Sequence, residues 1–311
     1  MSSVIETDGL TRCFGDLVAV DHVDFAVKEG EVFGFLGPNG AGKTTTVRML
    51  TGVLDPTEGT ASIQDHDIVD DPLRARAHLG VLPEEANVYL DLSVWRNLML
   101  SGELYGLSAQ QRKQEGERLL NLLDLSDRKN QKARALSKGL RQRLMMCCAL
   151  VSGPDILFLD EPTGGLDVQS TNLLRDTIRE MKRRGVTVFL TTHNMDEAED
   201  LCDRVAIINR GRIAAIDTPD ELRAHMQSSQ YVEVRFAGRA PDDKSLEALP
   251  EVLDMVEEGG LYRLYTDSPG WVATEVVRLS DRQNLQVESL STRKPSLEQV
   301  FLQLTGGEDQ P

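Results

Sequence analysis

The chain alternates between short unbroken apolar runs and longer stretches in which apolar residues return every three or four positions. Unbroken runs form the body of residues 32–36, 79–82, 155–162 and 186–190. A parallel strand covered by helices on both faces is buried throughout, so it reads as a continuous apolar run rather than an alternating one. Helical periodicity fills residues 43–50, 94–104, a stretch that starts at Ser108, 141–152 and 171–184, with shorter helices predicted at 73–78 and 195–202. Ser93 precedes the 94–104 segment as an N-cap, where its hydroxyl can accept from a first-turn N–H. Residues 4–8 and 23–27 alternate apolar and polar instead. Gly9, Gly15 and Gly30 punctuate them, which predicts two or three short antiparallel strands at the start of the chain. A further short strand is expected at 60–63, and Asn209-Arg210-Gly211 between strands 205–208 and 212–216 signals a hairpin. This order of strands and helices predicts an α/β core with a mainly parallel sheet.

Around residues 227–230 the pattern resets. From there the sequence predicts strand 231–236, helix 245–248, strand 252–256, strand 261–265, helix 271–279 and strand 285–290. That β-α-β-β-α-β order is the ferredoxin-like arrangement of a small α+β domain. A last helix at 296–304 follows, and residues 306–311 read as a frayed, flexible tail. The expected domains are therefore 1–228, with a helical subdomain at about 84–152, and 229–305.

Composition narrows the partners. The 311 residues carry a formal net charge of -16, and the pI is near 4.8. That balance argues against nucleic acid or anionic lipid as a nonspecific partner, because neutralising phosphate charge dominates such binding. No apolar stretch has the length that spans a bilayer, and the first residues lack the basic start and apolar core of a signal peptide. The four cysteines, Cys13, Cys147, Cys148 and Cys202, show no metal-ligand spacing. The expectation is a reduced, cytoplasmic, soluble chain that binds no nucleic acid.

The chemistry is concentrated after the first apolar run. Gly37-Pro38-Asn39-Gly40-Ala41-Gly42-Lys43-Thr44, followed by Thr45, fits G-x-x-x-x-G-K-[ST], the P-loop, between a strand and a helix. Its glycines let backbone N–H groups cradle phosphate oxygens, and the helix start adds a partial positive charge. Lys43 would reach the β- and γ-phosphates and the Thr44 hydroxyl would bind Mg²⁺. Asp160 closes an apolar strand, the usual place for a second Mg²⁺ carboxylate. Glu161, next to it, would polarise a water for in-line attack on the γ-phosphate. Read as continuing the strand until Pro162, it would face the side opposite Asp160. His193 ends the next strand on the same carboxyl edge, where parallel sheets bind ligands, and there it would donate to the transferred group. Phe14 sits at a strand-to-turn junction among polar residues; it would stack on a base or belong to a satellite core.

Together these residues resemble the ATP-binding-cassette (ABC) ATPases, specifically the subunit that powers a membrane transporter. Leu136-Ser137-Lys138-Gly139-Leu140 stands where that family has the signature Leu-Ser-Gly-Gly-Gln, Gly165-Leu166-Asp167 matches the D-loop, and Thr192-His193 matches the switch histidine. The resemblance covers about residues 4–226, and the tail with its ending Pro295 to Thr305 is similar to the ABC-2 exporter branch. It implies ATP and Mg²⁺ as cofactors, Glu161 as general base, His193 as γ-phosphate sensor, and Thr44, Asp160 and Glu84 toward the metal. It also implies Phe14 against adenine and head-to-tail pairing with a second ATPase subunit, the same chain or a paralogue. In that pairing Ser137, Lys138, Gly139 and Leu140 of one subunit face the γ-phosphate held by Lys43 of the other, and Asp167 signals across. An integral-membrane permease would hold the chain at the inner face of the membrane, touching Glu84 and residues 93–104. Three positions depart from the family pattern: Glu84 replaces the Q-loop glutamine, Lys138 a signature glycine and Leu140 the signature glutamine. Those changes leave open a slow or regulatory cassette, and a soluble ABC ATPase acting on nucleic acid or ribosomes is the further alternative.

Overall fold

The computed structural model describes residues 2–85, 87–224, 230–238, 240–293 and 296–305. The chain divides into two compact units, Met1–Pro219 and Asp220–Pro311. The division falls before the expected 228/229 boundary, because the last element hydrogen-bonded into the first unit's sheet ends at Asp217. Residues 225–229, and the tail expected at 306–311, lie outside the described residues.

The first unit begins with β1 (Ser3–Phe14), β2 (Leu17–Val23) and β3 (Ala26–Lys28). It is followed by β4 (Val32–Leu36) and helix α1 (Lys43–Leu50). Three antiparallel strands thus precede the P-loop, and the first is longer than the expected 4–8. The polar residues after Asp8 continue the strand through an irregular register, with Leu10 opposite Val23 and Thr11 opposite Glu58. After α1 come β5 (Glu58–Ile63), β6 (His66–Asp67), α2 (Pro72–Ala77) and β7 (Leu79–Leu82). Strands β5 and β6 complete the antiparallel sheet in the order β2-β1-β5-β6, with β3 also on β1.

A helical portion follows: α3 (Val94–Leu104), α4 (Ala109–Leu122) and α5 (Lys138–Leu150). Ser93 caps α3 as expected, accepting from the Arg96 N–H, and Ser108 with Gln111 forms a capping box on α4. Helix α5 begins earlier than the expected Arg141. Ser137 is its N-cap, with Oγ accepting from the Leu140 N–H at 3.3 Å, so Lys138, Gly139 and Leu140 form its first turn rather than a preceding loop.

The remaining elements of this unit are β8 (Ile156–Asp160), α6 (Val168–Arg183), β9 (Thr187–Thr192), α7 (Met195–Leu201), β10 (Arg204–Asn209) and β11 (Arg212–Asp217). The main sheet runs β11-β10-β4-β9-β8-β7. All neighbours are parallel except β11, which joins β10 antiparallel through the expected hairpin. Arg210 and Gly211 both have positive φ, as a two-residue turn matched to strand twist requires. Strands β4, β8 and β9 are buried at every position. One core joins the two sheets: Phe25, Phe33, Phe35, Phe158 and Phe189 meet there, with Phe189 5.2–5.8 Å from the other four ring centroids.

In the second unit α8 (Pro219–Ala224), β12 (Tyr231–Ala237), α9 (Asp243–Glu247), β13 (Asp254–Glu258), β14 (Leu261–Tyr265), α10 (Pro269–Gln283), β15 (Gln286–Arg293) and α11 (Leu297–Thr305) follow in order. The sheet order is β13-β14-β12-β15 with every pair antiparallel. Counted from β12 this is second-third-first-fourth, the ferredoxin-like topology. Val232, Val234, Leu246, Leu264, Val272 and Val276 make its core. No helix among the described residues is long and apolar enough to cross a membrane.

Candidate functional site: a phosphate cradle at the carboxyl edge

Because β4, β7, β8 and β9 are parallel neighbours, their C-terminal ends meet on one edge. The P-loop leaves β4 there, Glu84 follows β7, Asp160 and Glu161 end β8, and His193 follows β9. Glycine is required in the P-loop for two distinct reasons. Gly42 precedes α1 at φ 108°, where an added Cβ would also lie 2.6 Å from the Ala19 carbonyl oxygen; at Gly37 it would lie 2.3 Å from that of Ile208. The first-turn N–H groups of α1 have no acceptor within the helix, which suits them to phosphate oxygens.

Lys43 is buried, 6 % exposed, and its Nζ donates to the carbonyls of Gly37 at 2.8 Å and Pro38 at 3.1 Å. It also lies 3.2 Å from Glu161 Oε1. The other carboxylate oxygen of Glu161 is 2.6 Å from His193 Nδ1. Oε1 is buried and has the Lys43 ammonium as its charged neighbour, with no further hydrogen-bond partner among the described residues. The strand reading of Glu161 needs correction. Its φ is 50°, in the left-handed region, so the chain turns at Glu161 and not at Pro162. A non-glycine residue held there costs about 1–2 kcal/mol and persists only where its surroundings fix it. Here its N–H donates to both the carbonyl and Oγ1 of Thr191 at 3.1 Å, and its own carbonyl accepts from the Gly164 N–H at 3.1 Å.

Thr44 Oγ1 donates to Asp160 Oδ1 at 3.3 Å, so a hydroxyl and a carboxylate stand side by side at the start of α1 and the end of β8. Two hard oxygen donors, one anionic, fit Mg²⁺, which retains water and takes phosphate oxygens as its other ligands. No group of three or more acidic, His or Cys side chains gathers for a metal among the described residues. Thr191, absent from the sequence expectations, donates to the same Asp160 oxygen at 2.5 Å. The register of β8 on β9 sets Asp160 opposite Thr191, and a hydroxyl ending an otherwise apolar strand was the available signal.

A cavity of about 450 Å³ lies over the cradle, lined by Phe14, Asn39, Lys43, Thr44, Glu84 and Glu161 among others. Phe14 is 46 % exposed, with the Arg12 guanidinium carbon 4.7 Å from its ring centroid, so it is not a core residue. A neighbouring cavity of about 490 Å³ is lined by Glu84, Glu85, Lys138, Arg141, Glu161 and His193 among others. Glu84 thus reaches both cavities. Among the described residues lining the P-loop cavity, none comes from Ser137 to Leu140. Asp167 caps α6: Oδ1 accepts from the Ser170 N–H at 2.8 Å, and this bond holds its carboxyl below the usual carboxylate range. Sequence reasoning also missed Glu197, fully buried, which accepts from Thr163 Oγ1 at 2.7 Å and lies 3.5 Å from Arg175, joining the loop after Glu161 to α7.

An edge that carries a phosphate cradle, a hydroxyl–carboxylate pair and a second carboxylate beside the P-loop lysine defines a P-loop nucleotide-binding cassette. Residues 20–164 match the family model for the ABC transporter domain, and residues 218–305 match that for the ATP-binding protein DrrA1-3-like C-terminal domain. The chain is 36 % identical over 305 residues to the daunorubicin resistance ATP-binding protein DrrA3 of Streptomyces coeruleorubidus, covering 98 % of this chain and 96 % of that one. It is 42 % identical over 228 residues to the probable multidrug ABC transporter ATP-binding protein YbhF of Escherichia coli, covering 73 % of this chain but only 39 % of that longer protein. A solved ATP-binding subunit of an ABC transporter superposes with TM-score 0.67 at 31 % identity, over 72 % of this chain and 93 % of that one. The chain belongs to the ATP-binding subunits of ABC transporters, in the exporter branch that carries the DrrA1-3-like C-terminal domain.

Proposed function

We propose that this chain hydrolyses ATP to power an exporter, pairing head to tail with a second cassette beneath an integral-membrane permease. The observation that carries the reading is the open cradle: Lys43, Thr44 and Glu161 line it, Lys138 of the same chain reaches only the adjoining cavity, and among the described residues Ser137 and Gly139 line neither. The missing wall is supplied by Ser137 and Gly139 of the second subunit, which close the γ-phosphate from water. Lys43 and the first-turn N–H groups of α1 hold the phosphates, and Phe14 stacks on the base. Thr44 and Asp160, with Glu84 near by, hold Mg²⁺, which neutralises charge on the β- and γ-phosphates. Glu161 takes a proton from water as its oxygen attacks the γ-phosphorus, the bond to the ADP oxygen breaks, and His193 steadies both Glu161 and the transferred group. Asp167 stands at the start of α6 where it meets the partner.

A groove of about 950 Å³, lined by Val53, Val81, Glu84, Asn87 and Met145 among others, opens beside Thr44 and Asp160 and is the seat for a permease segment. Through that contact the chain sits peripherally on the membrane. The test is ATP turnover by the purified chain over a range of protein concentrations. Turnover per chain that rises cooperatively with concentration is expected; a rate per chain independent of concentration refutes the paired site. Release from the membrane fraction when the permease is removed tests the anchoring.

A further inference from the structure

We infer that Lys138 is a positioning residue that ties the signature helix to the catalytic loop of its own chain, so that docking of the signature stretch on a second cassette is felt at Glu161. The inference rests on the head-to-tail reading above. Lys138 Nζ donates to the Gly164 carbonyl at 2.7 Å. The N–H of the same glycine donates to the Glu161 carbonyl at 3.1 Å. The signature lysine therefore stands two hydrogen bonds and one residue from the backbone of the proposed base. An ammonium donor to a carbonyl is charge-assisted, and a glycine at this position could make no such bond.

The surrounding packing is built for the contact. Gly165 has φ 65°, and a Cβ there would lie 2.8 Å from Lys138 Nζ, so the D-loop glycine leaves room for the ammonium. One residue further along α5, a Cβ on Gly139 would meet Ser170 Oγ at 2.5 Å and Asp167 Oδ2 at 3.1 Å. Below it the buried Arg143 donates to Ser170 Oγ at 3.0 Å. The first turns of α5 and α6 and the loop between Glu161 and Asp167 thus form one packed cluster within the chain. Glu84, Glu85 and Glu161 line the same cavity as Lys138, which favours a cation there.

Lys138 is exposed, and an exposed ionic hydrogen bond contributes little to global stability. Its work is local order in the loop, which separates this role from a structural one. The experiment uses the full chain with Lys138→Met and Lys138→Arg, read by backbone hydrogen exchange over residues 161–168, ATP turnover and thermal midpoint. Lys138→Met is expected to exchange faster at 163–166 and to lose about tenfold in kcat, with KM for ATP within about twofold and an unchanged midpoint. Lys138→Arg restores most of both losses. Wild-type exchange and kcat in Lys138→Met, or a loss that arginine does not restore, overturns the inference. Glu161→Gln in the otherwise native chain checks the reading beneath it. ATP-dependent dimers of that variant uphold the paired cassette, and their absence removes the pairing, and with it the trans part of the inference, whatever Lys138 does.

Discussion

Glu161→Gln separates the two things Glu161 does: it pairs with Lys43 and it is placed to take a proton. At 3.2 Å the Lys43–Glu161 attraction is about 5 kcal/mol at an effective dielectric of about 20. Most of that is offset by the desolvation of two side chains only 6 % and 10 % exposed. Removing one member of a buried pair commonly costs about 3–5 kcal/mol because the other charge is stranded. Lys43 is not stranded, since it keeps the Gly37 and Pro38 carbonyls at 2.8 and 3.1 Å and the new amide oxygen as a third acceptor. The expected destabilisation is therefore nearer 1–2 kcal/mol, or about 2–8 °C in Tm for a unit of this size. Loss of a general base costs about 10²–10⁴-fold in kcat, about 3–5 kcal/mol in the barrier. The two effects differ enough to be told apart by phosphate release, ATP binding, thermal melting and light scattering on one preparation. We expect a folded variant that binds ATP as well as or better than the parent, because the carboxylate no longer competes with phosphate for Lys43. Turnover falls at least about 100-fold and ATP-dependent dimers accumulate. Turnover within about tenfold of the parent, in a variant that still binds ATP, removes Glu161 as the base.

Two further outcomes follow from the packing. Phe189→Ala removes the ring that touches four other phenylalanines in the core, and should cost about 3–5 kcal/mol and lower Tm by about 6–20 °C in thermal melts; a shift below about 3 °C would show that the site collapses around the gap. Burial pushes the Cys148 thiol up to about 12 and raises those of Cys147 and Cys202 as well, so all three are thiols rather than thiolates at pH 8. Iodoacetamide at that pH should label Cys13 first in the folded chain, the partly exposed Cys148 more slowly because it is held as the thiol, and the buried Cys147 and Cys202 only in denaturant; fast native labelling of Cys147 or Cys202 contradicts the burial.

The parallel strands could be read before the structure because burial on both faces writes itself as an apolar run, and the P-loop because its spacing is a chemical requirement. Where the reading slipped, a local signal was outweighed by something distant. Gly9 looked like the end of the first strand, yet the strand runs on to Phe14 because β2 and β5 pair with it across an irregular register. Gly139 looked like loop, yet it is helix because Ser137 caps α5 before it, and its packing on Ser170 leaves no room for a side chain there. In the site, Asp160, Glu161 and His193 were legible as strand-end residues. Their partners were not: Thr191 beside Asp160 is set by sheet register, and Lys138 on Gly164 by the packing of two helices whose sequences carry no mark of each other.

The departures from the family pattern gain a common sense from the cleft. Glu84 in place of glutamine adds one negative charge where polyphosphate must bind, which alone would weaken that binding. Lys138 in place of glycine adds one positive charge. Both residues line the same cavity, alongside Glu85 and Arg141, so the two replacements together leave the formal charge of that wall where an uncharged pair would put it. The lysine does more than cancel the glutamate, since its bond to Gly164 gives the loop behind Glu161 a hold that glycine cannot supply. Here Glu161 lies 3.2 Å from Lys43 and 2.6 Å from His193, Thr44 bonds Asp160 at 3.3 Å, and the altered positions sit around these groups rather than among them. The replacements therefore bear on how the site is closed and held, and leave the groups proposed to carry out the hydrolysis in place.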